Sequence, residues 1–335
     1  MEQKDIPMVA GRKSALPKIY GDTPSFIGSP IITKESMNEV DVAVFGVPWE
    51  GTVTWGSYSG CELAPKTIRH AAARYGGFLP EYDINFFDYL KLGDYGDVHI
   101  SPSDPAETME RVRIKTSEIY QGNAIPFALG GDHSFTPAIV KALGERINGK
   151  IGVIHFDSHL DNAKSFANDE YPRCSPIHHV AQIPQIKKSS IVHFGIRGPR
   201  NSPSQAEYAK EIGATVLSIK EVHELGIQKA IDQAAQIAYD GTDAVYITIC
   251  SDIFDAAYNP GGPADFDGLS PRELFYSLIT LAQQGIAGLD FVEVYPIQDA
   301  NSVSSHLAAW SCIYALAGLA MRRKNGSNLL FDNEK

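Results

Sequence analysis

Apolar residues gather in short runs along this chain, separated by longer stretches of mixed pattern. Runs of strand length occur at 40–48, 86–98, 124–129, 150–156, 190–197, 214–218, 244–249 and 288–294. Most are apolar at consecutive positions, the pattern of a strand buried on both faces. Between them, residues 65–74, 106–121, 136–146, 227–239, 271–284 and 307–322 read as helices. Pro65 sits in the first turn of its segment, where a missing N–H costs nothing. Strand and helix alternate with no break in composition. That order predicts an α/β protein: a three-layer αβα arrangement around a doubly wound, mostly parallel sheet.

Residues 1–38 carry no sustained period and are rich in Pro, Gly, Ser and Lys. They read as an arm lying on the surface or on a neighbouring subunit. Residues 39–325 form one domain in this reading, and 326–335 a polar tail. The length of 335 residues is enough for one large α/β domain. No internal repeat is visible.

Charge and cysteines narrow the classes. Lys and Arg total 29 against 40 Asp and Glu, a formal charge of -11. A surface built to neutralise phosphates needs a basic excess, so a nucleic-acid partner is not expected. Cys61, Cys174, Cys250 and Cys312 are widely spaced and form no Cys-x-x-Cys pair. They fit neither a disulfide framework nor a structural zinc site. The first residues lack an apolar signal core, and the apolar stretch at 308–321 reads as a buried helix rather than a membrane span. The expectation is a cytoplasmic enzyme with no membrane partner.

The candidate chemistry lies where strands run out. After the run at 150–156 come Asp157, His159 and Asp161 at alternate positions. Alternate residues of an extended segment share a face. Two carboxylates and an imidazole on one face suit a borderline divalent cation. The strand at 124–129 runs into Gly130-Gly131-Asp132-His133-Ser134, and a lone His such as His133 in that place is more often a loop histidine than a ligand. The strand at 244–249 runs into Cys250-Ser251-Asp252. Asp252 alone reads as a cap or turn residue, and Cys250 as a small buried one. Glu293 is the single charge in Phe291-Val292-Glu293-Val294-Tyr295-Pro296, so it needs a cation or a structural ion-pair partner. Trp49, Trp55, Tyr58 and Tyr171 stand in Gly- and Ser-rich loops and suit either a small-cation pocket or loop packing.

Taken together these segments resemble the ureohydrolases, the family of arginase, agmatinase and the guanidino-acid hydrolases. The likeness runs from about residue 40 to 319. It rests on Gly46-Val47-Pro48, Ala64-Pro65 with Ile68-Arg69, Asp94-Tyr95-Gly96-Asp97 and Gly130-Gly131-Asp132-His133-Ser134. It continues through Asp157-x-His159-x-Asp161, Gly195-Ile196-Arg197-Gly198, Asp252-x-x-Asp255 and Glu293-Val294-x-Pro296. The resemblance implies one or two divalent ions, Mn2+ or Ni2+, that activate water against a guanidinium carbon. By resemblance His133 and Asp161 hold one ion, His159 and Asp252 the other, and Asp157 lies between them. Glu293 then pairs with the guanidinium of a small cationic substrate. A homo-oligomer, trimer or hexamer, is implied as well.

Three positions depart from the family pattern. Cys250 stands where the family has a bridging Asp, and as a ligand it offers one soft sulfur in place of two oxygens. Arg173-Cys174 stands where a proton-shuttling His followed by Gly is usual. That makes Arg173 a candidate for substrate binding and leaves the nearby His178 and His179, with His178 the candidate catalytic group. Asp255-Ala256 replaces an Asp-Pro. These departures keep two alternatives open. One is a non-catalytic subunit supporting an active paralogue. The other is an amidine hydrolase using Cys250 as nucleophile.

Overall fold

Strands buried at every position form the centre of the sheet. The computed structural model describes residues 23–52 and 58–329. In chain order the strands are β1 (Val42–Gly46), β2 (Phe78–Leu79), β3 (Ile84–Asn85), β4 (Leu92–Asp97), β5 (Ile125–Leu129), β6 (Ile151–Phe156), β7 (Ile186–Ile196), β8 (Thr215–Ser218), β9 (Ala244–Cys250) and β10 (Gly288–Val292). Eight of them form one sheet in the order β4-β1-β5-β10-β9-β6-β7-β8. Every pairing in it is parallel. Only β2 and β3 stand apart, as an antiparallel hairpin.

The helices are α1 (Ala64–Ala72), α2 (Pro105–Gln121), α3 (Thr136–Arg146), α4 (Pro176–Val180), α5 (Pro203–Glu211), α6 (Ile219–Leu225), α7 (Ile227–Tyr239), α8 (Pro271–Gln284) and α9 (Val303–Lys324). They cover both faces, so alternate strand residues feed two cores. On β5, Ile125, Phe127 and Leu129 join the core under α1 and α7 to α9. Ala128, facing the other way, joins the core under α2, α3 and α4. This is the expected three-layer arrangement.

Local signals explain the helix ends. Asp104 accepts from the Glu107 N–H and opens α2, and Ser270 with Glu273 forms a capping box at α8. Three helices carry too little pattern to be read from sequence. α4 and α6 are short and bury only three and two residues, and α5 buries only Ala209, so none repeats an apolar face over enough turns to mark a helix. The run at 86–98 is also shorter as a strand than expected, because Phe86–Asp88 is a 3₁₀ turn. Among the described residues, α9 falls in the one helical stretch long and apolar enough to cross a membrane, Ala300–Lys324, and 78% of its most apolar window is buried inside the domain.

The described part of the N-terminal segment packs into the domain. Phe26 is fully buried and its N–H donates to Asp94 Oδ2 (2.8 Å). Asp94 also takes a two-pronged contact from Arg69, at 2.8 and 2.9 Å, while Arg69 reaches Asp97 at 2.5 Å. The motif residues Arg69 and Asp94 thus tie α1, β4 and the N-terminal segment together.

The order of the strands sets the site. β9 and β10, late in the sequence, insert between β5 and β6. The central four strands are therefore β5, β10, β9 and β6, and their carboxyl ends open on one edge. Ligand sites of open parallel sheets lie at that edge.

Arg69→Ala would leave Asp94 buried without its cation. Removing one partner of a buried pair costs about 3–5 kcal/mol, so the urea midpoint should fall steeply with the slope unchanged.

Candidate active site

Each of the four central strands delivers side chains to this edge. β5 is followed by Gly130 and Gly131, with φ of 24° and 96°. A Cβ on Gly131 would come within 2.5 Å of the Val47 carbonyl and 2.9 Å of that of Trp49, so only glycine lets the loop after β1 approach. His133 follows, buried at 1% exposure. Its Nε2 lies 2.8 Å from Thr248 Oγ1, and Thr248 donates its hydroxyl proton to Asp290 Oδ1 (2.6 Å). Thr248 therefore accepts from the His133 Nε2–H, which leaves Nδ1 as a lone pair in the neutral ring. That Nδ1 points at Asp161 Oδ2 (3.1 Å) and Asp157 Oδ2 (3.2 Å). It is buried, and neither contact has hydrogen-bond geometry. A lone pair facing two carboxylates calls for a cation between them. Burial opposes charge on this imidazole, but Asp157 and Asp161 outweigh it and hold its pKa well above the usual histidine value, so without a metal ion a proton would fill that place on Nδ1.

β6 supplies the alternate triad. Asp157 Oδ2 accepts from His155 Nε2 (3.0 Å), and Oδ1 accepts from the His159 N–H (2.6 Å). Asp161 turns inward through a left-handed backbone, φ 48°. His159 Nδ1 lies 3.0 Å from Asp252 Oδ2 and 3.3 Å from Asp157 Oδ1. Asp252, after β9, is set by two contacts: Ser158 N–H donates to its Oδ1 (3.0 Å), and Arg197 donates to its carbonyl (2.6 Å). That is the work of the Gly195-Ile196-Arg197-Gly198 motif.

Three groups of ligand atoms result, each within 4.8 Å internally: His133, His155, Asp157 and Asp161; Asp157, Cys250 and Asp252; His159, Asp252 and Asp265. Asp157 belongs to the first two and Asp252 to the last two. Nitrogen and oxygen donors with a surplus of carboxylate fit a borderline divalent ion. The structure thus brings His133, Asp157, His159, Asp161, Cys250 and Asp252 together. The Cys250 thiol is pushed well up by burial, then by Asp157, Asp252 and Glu293. Its surroundings are anionic, the opposite of what an activated thiolate needs.

Glu293 follows β10 with φ 62°, which turns its side chain toward β5. Oε1 accepts from the His133 N–H (2.8 Å), and Oε2 accepts from Tyr295 (2.8 Å) and Arg173 Nη1 (3.0 Å). Burial raises this carboxyl to about 7, with Arg173 pulling down and Asp132 pushing up. The other prong of Arg173, Nη2, lies 3.2 Å from Glu50 Oε1 and 3.7 Å from Asp132 Oδ2. One cavity of 360 Å³ is lined by Asp157, His159, Asp161, Arg173, Cys250 and Glu293 among others.

Other expected residues lie elsewhere. His178, on α4, packs its ring on Tyr208 at 4.8 Å and does not line the cavity. His179 Nε2 contacts the Glu170 carbonyl (2.7 Å). Trp49 is buried and donates to Ser134 Oγ (3.1 Å), Tyr171 stacks on His179, and Tyr58 is exposed. These three are packing or surface residues, and Trp55 lies outside the described residues. Sequence reading missed Glu50, His155, Asp265 and Asp290. Asp290 and His155 carried a signal, a polar residue inside an apolar strand. Asp265 and Glu50 sit in loops, where nothing marks them.

Fold and site together define an α/β protein with a buried carboxylate–imidazole cluster, able to hold a metal ion, at the carboxyl edge of its sheet. The chain belongs to the arginase family, whose sequence model matches residues 40–318. It is 27% identical to the guanidinopropionase of Pseudomonas aeruginosa over 307 residues, 91% of this chain and 94% of that protein. It is 28% identical to the mitochondrial agmatinase of Gallus gallus, over 85% of this chain and 82% of that one. The solved proclavaminate amidino hydrolase of Streptomyces clavuligerus superposes with a TM-score of 0.83 at 27% identity, covering 91% of this chain and 99% of that one.

The path from His133 through Thr248 to Asp290 generates a test. Thr248→Val removes the acceptor that fixes the His133 tautomer. Losing such an outer partner weakens metal affinity by about 10–100-fold, to be read by competition with a chelator.

Proposed function

We propose that this protein is a metal-dependent hydrolase of a C–N bond in a small cationic guanidino or amidine compound, releasing urea from a guanidino substrate. One observation carries the reading: the carboxylate Glu293 and the metal-type cluster share one cavity. The names of the relatives, a guanidinopropionase and an agmatinase, support the substrate class.

His133, Asp157 and Asp161 would hold one ion, and His159 and Asp252 a second, with Asp157 common to both. When bound, Mn2+ or Ni2+ supplies the positive charge that makes water a nucleophile near neutral pH. Glu293 pairs with the substrate cation, its carboxylate fixed by Tyr295 and the His133 N–H. Water adds to the guanidino carbon, one C–N bond breaks, and the departing amine takes a proton. Asp265 lies 3.3 Å from His159 Nε2 and holds the far side of that ring. A cytoplasmic setting is supported by four free cysteines. A homo-oligomer is supported by the family likeness.

The second reading, a non-catalytic subunit working with an active paralogue, draws on Cys250 and on the pairing of Arg173 with Glu293. Metal analysis and a urea-release screen decide between them. The screen should cover agmatine, arginine, guanidino acids and substituted guanidines, with Mn2+ and Ni2+ each tested. Retained metal with urea release from one of these is expected. Protein that stays metal-free and inert throughout would leave only the second reading.

Two substitutions sharpen the test. Glu293→Gln keeps the shape and removes the charge, so it should cost roughly 1.5–3 kcal/mol in kcat/KM, the worth of a hydrogen bond to a charged group. Cys250→Asp restores a two-oxygen ligand and should raise Mn2+ content toward two per chain, measured by plasma emission on dialysed protein.

A further inference from the structure

The carboxylate that the proposed function assigns to the substrate's guanidinium already holds one, and it belongs to the chain itself. We propose that Arg173 is a built-in competitor: its side chain occupies the guanidinium seat at Glu293, so a guanidino ligand enters only by displacing it. This rests on the reading of Glu293 as the substrate's partner.

The geometry is that of a ligand in a site. Arg173 Nη1 donates to Glu293 Oε2 at 3.0 Å and lies 3.3 Å from the Tyr295 hydroxyl. Nη2 donates to Glu50 Oε1 at 3.2 Å, and Nε donates to the Thr52 carbonyl at 3.4 Å. Every edge of the planar group therefore meets an acceptor or a hydroxyl. A second guanidinium cannot share this seat. Glu293 Oε1 is taken by the His133 N–H and Oε2 by Tyr295 and Arg173. Two like charges a few ångströms apart would also repel in a buried setting.

The seat does not depend on Arg173 for its shape. Glu50 also accepts from the N–H groups of Ser59, Gly60 and Cys61 and from the Ser59 hydroxyl. Asp132 accepts from the N–H groups of Gly51 and Ser134 and from the Ser134 hydroxyl. Glu293 keeps Tyr295 and the His133 N–H. Each carboxylate thus retains donors when the arginine leaves, as a site with an exchangeable occupant requires. The seat opens onto the metal-side cavity, since Arg173 and Glu293 line it together with Asp157 and Cys250. Arg173 also reaches it from the end of the connection between β6 and α4, whose residues 164–168 are all exposed.

The test is equilibrium binding of guanidinium and methylguanidinium chloride to the full-length protein by titration calorimetry, with ammonium chloride as control. Wild type, R173A and the double variant R173A/E293Q are compared. We expect R173A to bind both guanidinium ions at least tenfold more tightly than wild type, ammonium to show no gain, and E293Q to abolish the gain. Equal or weaker binding by R173A overturns the assignment. So does a gain that survives E293Q, or one for guanidinium without methylguanidinium, which would mark a closed structural pocket. If R173A does not fold, R173Q, which keeps two N–H donors, carries the same comparison. The urea-release screen judges the parent reading separately. A binding gain without urea release from any compound supports this assignment and removes the hydrolase reading. Urea release by wild type with no gain in R173A removes this assignment alone.

Discussion

Buried negative charge is the constraint on which the rest of this structure depends. Asp157, Asp161, Asp252, Asp265 and Glu293 all lie below a tenth exposed at one edge of the sheet. Each was drawn from water, where a carboxylate is stable, into surroundings where an unpaired one is costly. The fold meets that cost with backbone N–H groups, imidazoles and two arginines, Arg173 at Glu293 and Arg200 at Asp265. The first cluster remains uneven. His133 faces Asp157 and Asp161 with a lone pair, and the three can coexist only around a proton or a metal ion. Burial and acid–base chemistry therefore point to the same place as the family likeness, from independent premises.

The position of the charge follows from the topology. Four central strands in the order β5, β10, β9, β6 bring residues 133, 293, 252 and 157 side by side although they are far apart in sequence. The backbone is bent to suit. Glu293 and Asp161 both sit at positive φ, a conformation that side chains other than glycine seldom adopt. Strain of this kind persists where surrounding contacts over-determine it. Here they do: the Glu293 N–H donates to the Gly131 carbonyl (3.0 Å), and the Asp161 carbonyl accepts from the Ile177 N–H (3.1 Å).

Much of this was legible in the chain because it is periodic or local. Consecutive apolar residues marked the buried strands, and alternate polar residues after β6 marked one face of the site. Asp265 was not legible. It lies in an aperiodic loop and meets Ser158 across 107 positions, a distance no local pattern encodes. Arg173 was visible as a departure from the family pattern, but not the direction of its side chain. That direction depends on Glu50, which is 123 positions away. His178 shows the reverse error. It stands near the expected position in sequence, yet the five-residue helix α4 turns its ring onto Tyr208 and away from the cavity.

At position 250 the family pattern has a bridging carboxylate, and this chain has a thiol whose pKa burial, and then its anionic neighbours, push well up. Asp265 supplies a carboxylate on the far side of His159 instead, 3.3 Å from its Nε2. Arg200 is paired with that carboxylate, so it adds less net negative charge than an Asp at 250 would, and it adds it on the flank. Coulomb energy falls with distance, so an ion held, as proposed, by His159 and Asp252 would have less of its charge offset than one held by His133, Asp157 and Asp161. Uneven occupancy would then follow from where the charge sits as well as from how much there is.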